Sequence, residues 1–112
     1  MGSILSNYGM ANRTAYCASK AAIAHFTKAL AIELGPYHVH VNAIAPNVIF
    51  TDLNREAQKR APKPYADILA RTPLGRFGEQ EDIAGALVFR ASPASDFITG
   101  HTIYIDGGYT AG

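Results

Sequence analysis

The chain has 112 residues, a single domain's length at most, with 48% hydrophobic and 17% charged residues, a balance that excludes a disordered chain. A formal net charge of +1 gives no reason to expect nucleic acid or an anionic membrane surface as a partner. The single Cys17 excludes an internal disulfide framework and fits a reducing cytoplasm; no apolar run reaches the ~18 residues of a membrane span, and no secretory leader pattern is present.

In chain order, Met1 to Ile4 is short and apolar and reads as the last turn of a strand, with Ser3 inside it. Ser6 to Thr14, with Asn7, Gly9 and Asn12, is a loop. Ala15 to Leu34 contains strong helix formers without an internal Gly or Pro, and Gly35-Pro36 stops it. This helix is apolar over a wide arc that includes Ile23, Phe26, Ile32 and Leu34. Such an arc calls for burial on two sides, by a sheet and by a second helix, whether of this chain or of another subunit.

Val39 to Ala45 reads as a strand that Pro46-Asn47 ends. Between Ile49 and Arg71, Pro62 and Pro64 divide a mixed segment into two short helical pieces. A segment so placed, about residues 47–74, is where an α/β fold puts its substrate lid. Its basic residues Arg55, Lys59, Arg60 and Lys63 are read as solvated charge. Pro73 to Gly78 is a turn, and Glu79, Glu81 and Asp82 crowd the start of a second helix that runs to about Ala91. Arg90 falls on the core stripe of that helix, seven residues after Ile83 and three after Leu87. Pro93 to Gly100 is loop, and His101 to Ile105 is a last strand closed by Asp106-Gly107-Gly108. The order gives an α/β fold with a parallel sheet, yet two parallel strands cannot be a whole sheet.

The chemistry centres on Tyr16-Cys17-Ala18-Ser19-Lys20. Positions four apart share a helix face, and an ammonium beside a phenol favours the phenolate, which suits proton exchange with an alcohol or carbonyl oxygen. Alone the spacing is weak evidence. His25, His38, His40 and His101 are scattered; His38 and His40 share a strand face but lack a third ligand, so no metal is expected.

Four patterns in one order carry a resemblance: Ser3 with Tyr16-x-x-x-Lys20; Val41-Asn42-Ala43-Ile44-Ala45-Pro46; Pro73-Leu74-Gly75-Arg76-Phe77-Gly78; and Ile98-Thr99-Gly100 with Ile103-x-Ile105-Asp106-Gly107-Gly108. Together they resemble the carboxyl-terminal half of the short-chain dehydrogenases/reductases, over nearly the whole chain. The resemblance implies a partial doubly wound, Rossmann-like parallel sheet lacking its amino-terminal nucleotide-binding half, with residues 1–112 as the carboxyl-terminal half of one domain. It implies an NAD(P)-dependent oxidoreductase that interconverts an alcohol and a carbonyl. Tyr16 would be the general acid/base, Lys20 would tune it and hold the nicotinamide ribose, and Ser3 would hold the substrate oxygen. The segment Pro46 to Thr51 would hold the carboxamide of NAD or NADP through the Ile49 backbone and the Thr51 hydroxyl. Asn47 stands where the family usually has glycine, which anticipates a left-handed turn there. Ser3, so near the first residue, is expected to fray.

Two functions follow. One is the small-molecule alcohol or carbonyl oxidoreductase, cytoplasmic and homo-oligomeric as its full-length relatives are, with a small polar carbonyl or sugar favoured by the Met10 to Lys20 segment. The other is a truncated, non-catalytic fragment, inert or associating with full-length relatives through Ala15–Leu34, because binding pyrophosphate needs a glycine-rich loop that this sequence does not contain.

Overall fold

The computed structural model describes all residues, 1–112. Helix α1 (Thr14–Leu34) leads to strand β1 (Ala43–Pro46), helices α2 (Asp52–Arg60), α3 (Pro62–Ala70) and α4 (Gln80–Arg90), and strand β2 (Thr102–Ile105). The two strands pair in parallel, from Ala43 opposite Thr102 to Pro46 opposite Ile105. The fold is the α/β fragment anticipated, a small parallel piece of a Rossmann-like sheet.

Local chemistry explains the boundaries. Helix α1 has no internal breaker and closes on a 3-10 turn at Gly35–Tyr37. The prolines sit where they cost least: α2 ends at Arg60, and Pro62 opens α3 in its first turn, where a missing N–H is no loss. Helix α4 starts from a capping box in which Asp82 accepts the Glu79 N–H at 2.8 Å.

Three expectations are corrected. Met1–Ile4 is not a strand end: Ser3 caps a 3-10 turn at Ile4–Ser6, and a single rung, from the Gly2 N–H to the Ile44 carbonyl at 2.8 Å, joins it to β1. Strand β1 begins at Ala43, not Val39, because the groups before it bond to a loop instead of a strand. The Val41 N–H donates to Thr99 Oγ1 at 3.0 Å, and Asn42 Oδ1 accepts the His101 N–H at 3.0 Å. Asn47 is not left-handed; only Asn12 and His38 among the non-glycine residues have positive φ, and the Asn47 N–H extends the ladder to the Ile105 carbonyl at 3.2 Å.

The core is small. Ile4, Leu5 and Tyr109 form its centre, with Cys17, Ile68 and Tyr104 packed around it, and Ala43 and Ala45 point inward from β1. Helix α1 buries Thr27 and Ala31 but leaves Phe26 63% and Ile32 79% exposed. The two-sided burial expected of its apolar arc is therefore met on one side within this chain. Arg90 carries the cost its position implied: one nitrogen donates to the Ile98 carbonyl at 3.3 Å, while Nε and Nη1 are buried without an acceptor. Burial pushes its pKa down.

Candidate active site

The first turn of α1 sets Tyr16, and one turn later Lys20 lies on the same face, its Nζ 5.4 Å from the centre of the Tyr16 ring. The ammonium also donates to the Met1 carbonyl at 3.3 Å, which ties it to the chain's first segment. Tyr16 is 45% exposed. Cys17, between them in sequence, turns towards the core and takes no part.

Ser3 does not fray. It is 8% exposed, its Oγ accepts the Leu5 N–H at 3.2 Å, and its own N–H donates to Ser6 Oγ at 3.2 Å. Accepting one bond leaves the Ser3 hydroxyl proton free to donate.

The segment after β1 forms the opposite wall. Thr51 caps α2 by accepting the Asn54 N–H at 3.3 Å, and the Asn54 side-chain amide donates to the Ile49 carbonyl at 2.6 Å. Asn54 thus fixes both ends of the stretch from Ile49 to Thr51. The Ile49 N–H makes no bond within the chain, and the buried Asn47 Oδ1 has no donor. Ser3, Tyr16, Ile49 and Thr51 line one open cleft of about 680 Å³. Lys20 is not part of its wall and stands beside the Tyr16 ring. Four of the five residues singled out in the sequence meet here, and the fifth stands against one of them, Tyr16.

Asn54 and Arg13, also on this cleft, were not anticipated. The spacing Thr51-x-x-Asn54 after a turn is a capping signal that could have pointed to Asn54. Arg13 carries no such sign, since its side chain makes no capping bond at the start of α1. A second hollow, of about 350 Å³, lies between Arg76, Tyr104 and Asp106, away from Tyr16. Its rim is a bidentate pair, Arg76 to Asp82 at 2.7 and 2.8 Å. The Arg76 hydrogen bonds and the Glu79 N–H hold the Asp82 carboxyl well below the usual carboxylate range. On α2 and α3, Arg55, Lys59 and Lys63 pair with Glu79, Glu56 and Asp67 at 3.6, 2.7 and 3.8 Å. No group of three or more His, Cys, Asp or Glu is placed to hold a metal, and no helix is long and apolar enough to cross a membrane.

Comparison with known proteins gives consistent matches along the chain. The family model described as enoyl-(acyl carrier protein) reductase matches residues 1–110. The NAD-dependent glycerol dehydrogenase of Listeria innocua is 44% identical over 110 residues, 98% of this chain and 42% of that protein. L-Xylulose reductase of Bos taurus is 40% identical over 106 residues, 95% of this chain and 43% of that protein. Among solved structures, a candidate 2-deoxy-D-gluconate 3-dehydrogenase from Agrobacterium tumefaciens with bound NADP superposes with a TM-score of 0.92 at 42% identity, covering 99% of this chain and 45% of that one. The chain spans less than half the length of the curated relatives it matches.

Proposed function

The chain belongs to the short-chain dehydrogenase/reductase family, and we propose that it supplies the proton-transfer and substrate-binding half of an NAD(P)-dependent oxidoreductase that interconverts an alcohol and a carbonyl. The observation that carries this reading is the meeting of Ser3, Tyr16, Ile49 and Thr51 around one cleft, with the Lys20 ammonium against the Tyr16 ring. Relatives named glycerol dehydrogenase and L-xylulose reductase favour alcohol–carbonyl chemistry over the enoyl reduction in the family model's description.

In this reading Tyr16 Oη takes the proton of a substrate hydroxyl during oxidation and returns it during reduction. The Ser3 hydroxyl donates to the same substrate oxygen and fixes its direction. Lys20 places a positive charge beside the Tyr16 ring. A bound nicotinamide cofactor would accept or provide the hydride. The residues of this chain suit its carboxamide: the unpaired Ile49 N–H is a donor, the Thr51 hydroxyl can donate or accept, and the orphaned Asn47 Oδ1 is an acceptor. Lys20 is the group placed to hold its ribose. Residues 1–112 then form the carboxyl-terminal part of one dinucleotide-binding domain, with residues 47–74 as its lid. The domain works in the cytoplasm, a setting that the unpaired Cys17 suits, and as a homo-oligomer that covers the exposed face of α1.

The test is to titrate the purified protein with NADH and NADPH by fluorescence and to assay polyol oxidation. On this reading saturable binding and turnover follow, and Tyr16→Phe should lower kcat by about 10²–10⁴-fold while binding persists; the missing glycine-rich loop predicts neither for the chain alone. Turnover unchanged by Tyr16→Phe would remove Tyr16 from the reaction.

A second reading has its own observation, the unpartnered edges of a two-stranded sheet. On that reading the isolated polypeptide is non-catalytic, inert or bound to full-length relatives through α1. Saturable NADH binding by the chain alone would defeat it.

A further inference from the structure

The groove continues past Tyr16. Met10, Arg13, Val48 and Ile68 line both the 680 Å³ cleft and an adjoining hollow of about 550 Å³, which ends at Tyr8, Arg71 and Tyr109. The charge along this path is one-sided. Arg13 and Arg71 enter none of the chain's four ion pairs, and the sole carboxylate on the path, Asp67, already has Lys63 at 3.8 Å.

Arg71 is held in place by aromatic rings, its guanidinium carbon 4.6 Å from the Tyr109 centroid and 5.5 Å from that of Tyr8. The Tyr109 hydroxyl takes one of the Arg71 N–H donors, and of the five that a guanidinium carries the others remain for a ligand. The two tyrosine hydroxyls, 2.9 Å apart, need only one proton between them, so a second is available to an acceptor. Two unpaired guanidiniums with phenolic donors in a concave site match an oxyanion, for which arginine is the best-suited side chain.

We propose that Arg13 and Arg71 form an oxyanion subsite, so that the Tyr16 centre prefers an alcohol or ketone carrying a carboxylate or phosphate beyond its reacting carbon. This rests on the oxidoreductase reading, and names its substrate class. The bound anion stays at the Arg13–Arg71 end while the reacting oxygen lies between Ser3 and Tyr16. Neutral polyols of equal length fill the groove but leave both cations unpaired.

The experiment compares kcat/KM for D-gluconate, D-glucitol 6-phosphate and neutral D-glucitol with NAD⁺ and NADP⁺, in the native chain and in Arg13→Gln, Arg71→Gln and Arg71→Lys. At least one anionic compound is expected to exceed D-glucitol by about tenfold or more, a margin that shrinks with added salt. Gluconate leading identifies a carboxylate, the phosphate ester leading a phosphate, and both outcomes support the subsite. Arg13→Gln and Arg71→Gln should each bring the anionic-to-neutral ratio close to one, and Arg71→Lys should restore part of it. A native ratio near one, or a ratio untouched by both glutamine variants, overturns the proposal while leaving the oxidoreductase reading intact. If nothing is turned over, saturation-transfer NMR with the same three compounds decides. An anion-specific signal that disappears in Arg13→Gln supports the subsite, and equal signals from charged and neutral compounds refute it.

Discussion

Gly78 shows how a residue without a side chain shapes the cleft. Its N–H donates to the Val48 carbonyl at 3.1 Å and its carbonyl accepts the Phe50 N–H at 2.7 Å, stitching the segment after β1 to the loop before α4. A Cβ there would lie 2.5 Å from Ile49 Cδ1, so Gly78→Ala must push Ile49 aside or break the bridge. Because the atom met is the far end of a flexible side chain, the expected loss is at most about 1 kcal/mol, read as a small fall in Tm by circular dichroism; a large fall would mean that Ile49 cannot yield. Arg90 predicts the opposite sign. Arg90→Met removes two buried donors that lack acceptors and keeps the bulk, so denaturant unfolding should show a gain of about 1–3 kcal/mol. A loss would mean that those nitrogens find an acceptor in solution. That Arg90 falls on the less exposed side of α4 was legible in the sequence, because helical spacing is a local property, but no residue of that helix is fully buried and Leu87 is half exposed. The one acceptor of Arg90 was not legible, since the Ile98 carbonyl belongs to the next loop. The Tyr16–Lys20 contact was legible for the same local reason, whereas Ser3, Ile49 and Thr51 came from resemblance alone. That Arg13 and Arg71 line one hollow depends on tertiary placement, which no spacing reveals.

Among the elements, the helices kept nearly their anticipated bounds, because capping acids, prolines and glycines act on the residues beside them. The strands were shorter than alternation suggested. A strand's length is set by its neighbour, and Val39 to Asn42 has a loop beside it. The turn after β2 shows what holds such a short strand. Burial alone would raise the Asp106 carboxyl, but bonds from the Thr110 hydroxyl and N–H at 2.6 and 2.9 Å and from the Gly108 N–H at 3.0 Å outweigh it and leave the pKa lowered. A carboxyl whose folded pKa lies below its unfolded value of about 3.9 stabilises fully above that value, and the contribution is lost as pH falls through the folded pKa. Acid should therefore weaken the native chain below about pH 4, and Asp106→Asn should flatten that dependence while lowering stability at pH 7. Denaturant melts at pH 7 and pH 3 measure both; parallel acid slopes for the two proteins would exclude Asp106 as the cause. The burial of Tyr109 and its bond to Tyr8 raise the Tyr109 phenol, so the matching loss on the alkaline side begins above about pH 10.

At the scale of the molecule, surface area decides how the chain behaves alone. A folded monomer of 12.0 kDa should expose roughly 6,000 Å², and a 112-residue domain should have a radius of gyration of about 13 Å. This chain exposes 7337 Å² with a radius of 15.3 Å. The excess, on the order of 1,300 Å², is comparable to one side of a large protein interface. Much of it is apolar: Phe97 is fully exposed, Ile32 79% and Val88 70%. At about 25 cal/mol per Å², covering apolar surface of this kind would contribute several kcal/mol before the cost of association, set against a core of only seven buried hydrophobic residues. The 112-residue chain should therefore gain stability from association, with a Tm that rises with protein concentration and a sedimentation coefficient that grows with loading. Phe97→Asp and Ile32→Glu place a charge on those faces without touching the Tyr16 cleft, and should shift the population towards monomer while lowering Tm at high concentration only. A monomer at every concentration with a constant Tm would show that the exposed apolar surface is tolerated as it stands, and that the small core suffices.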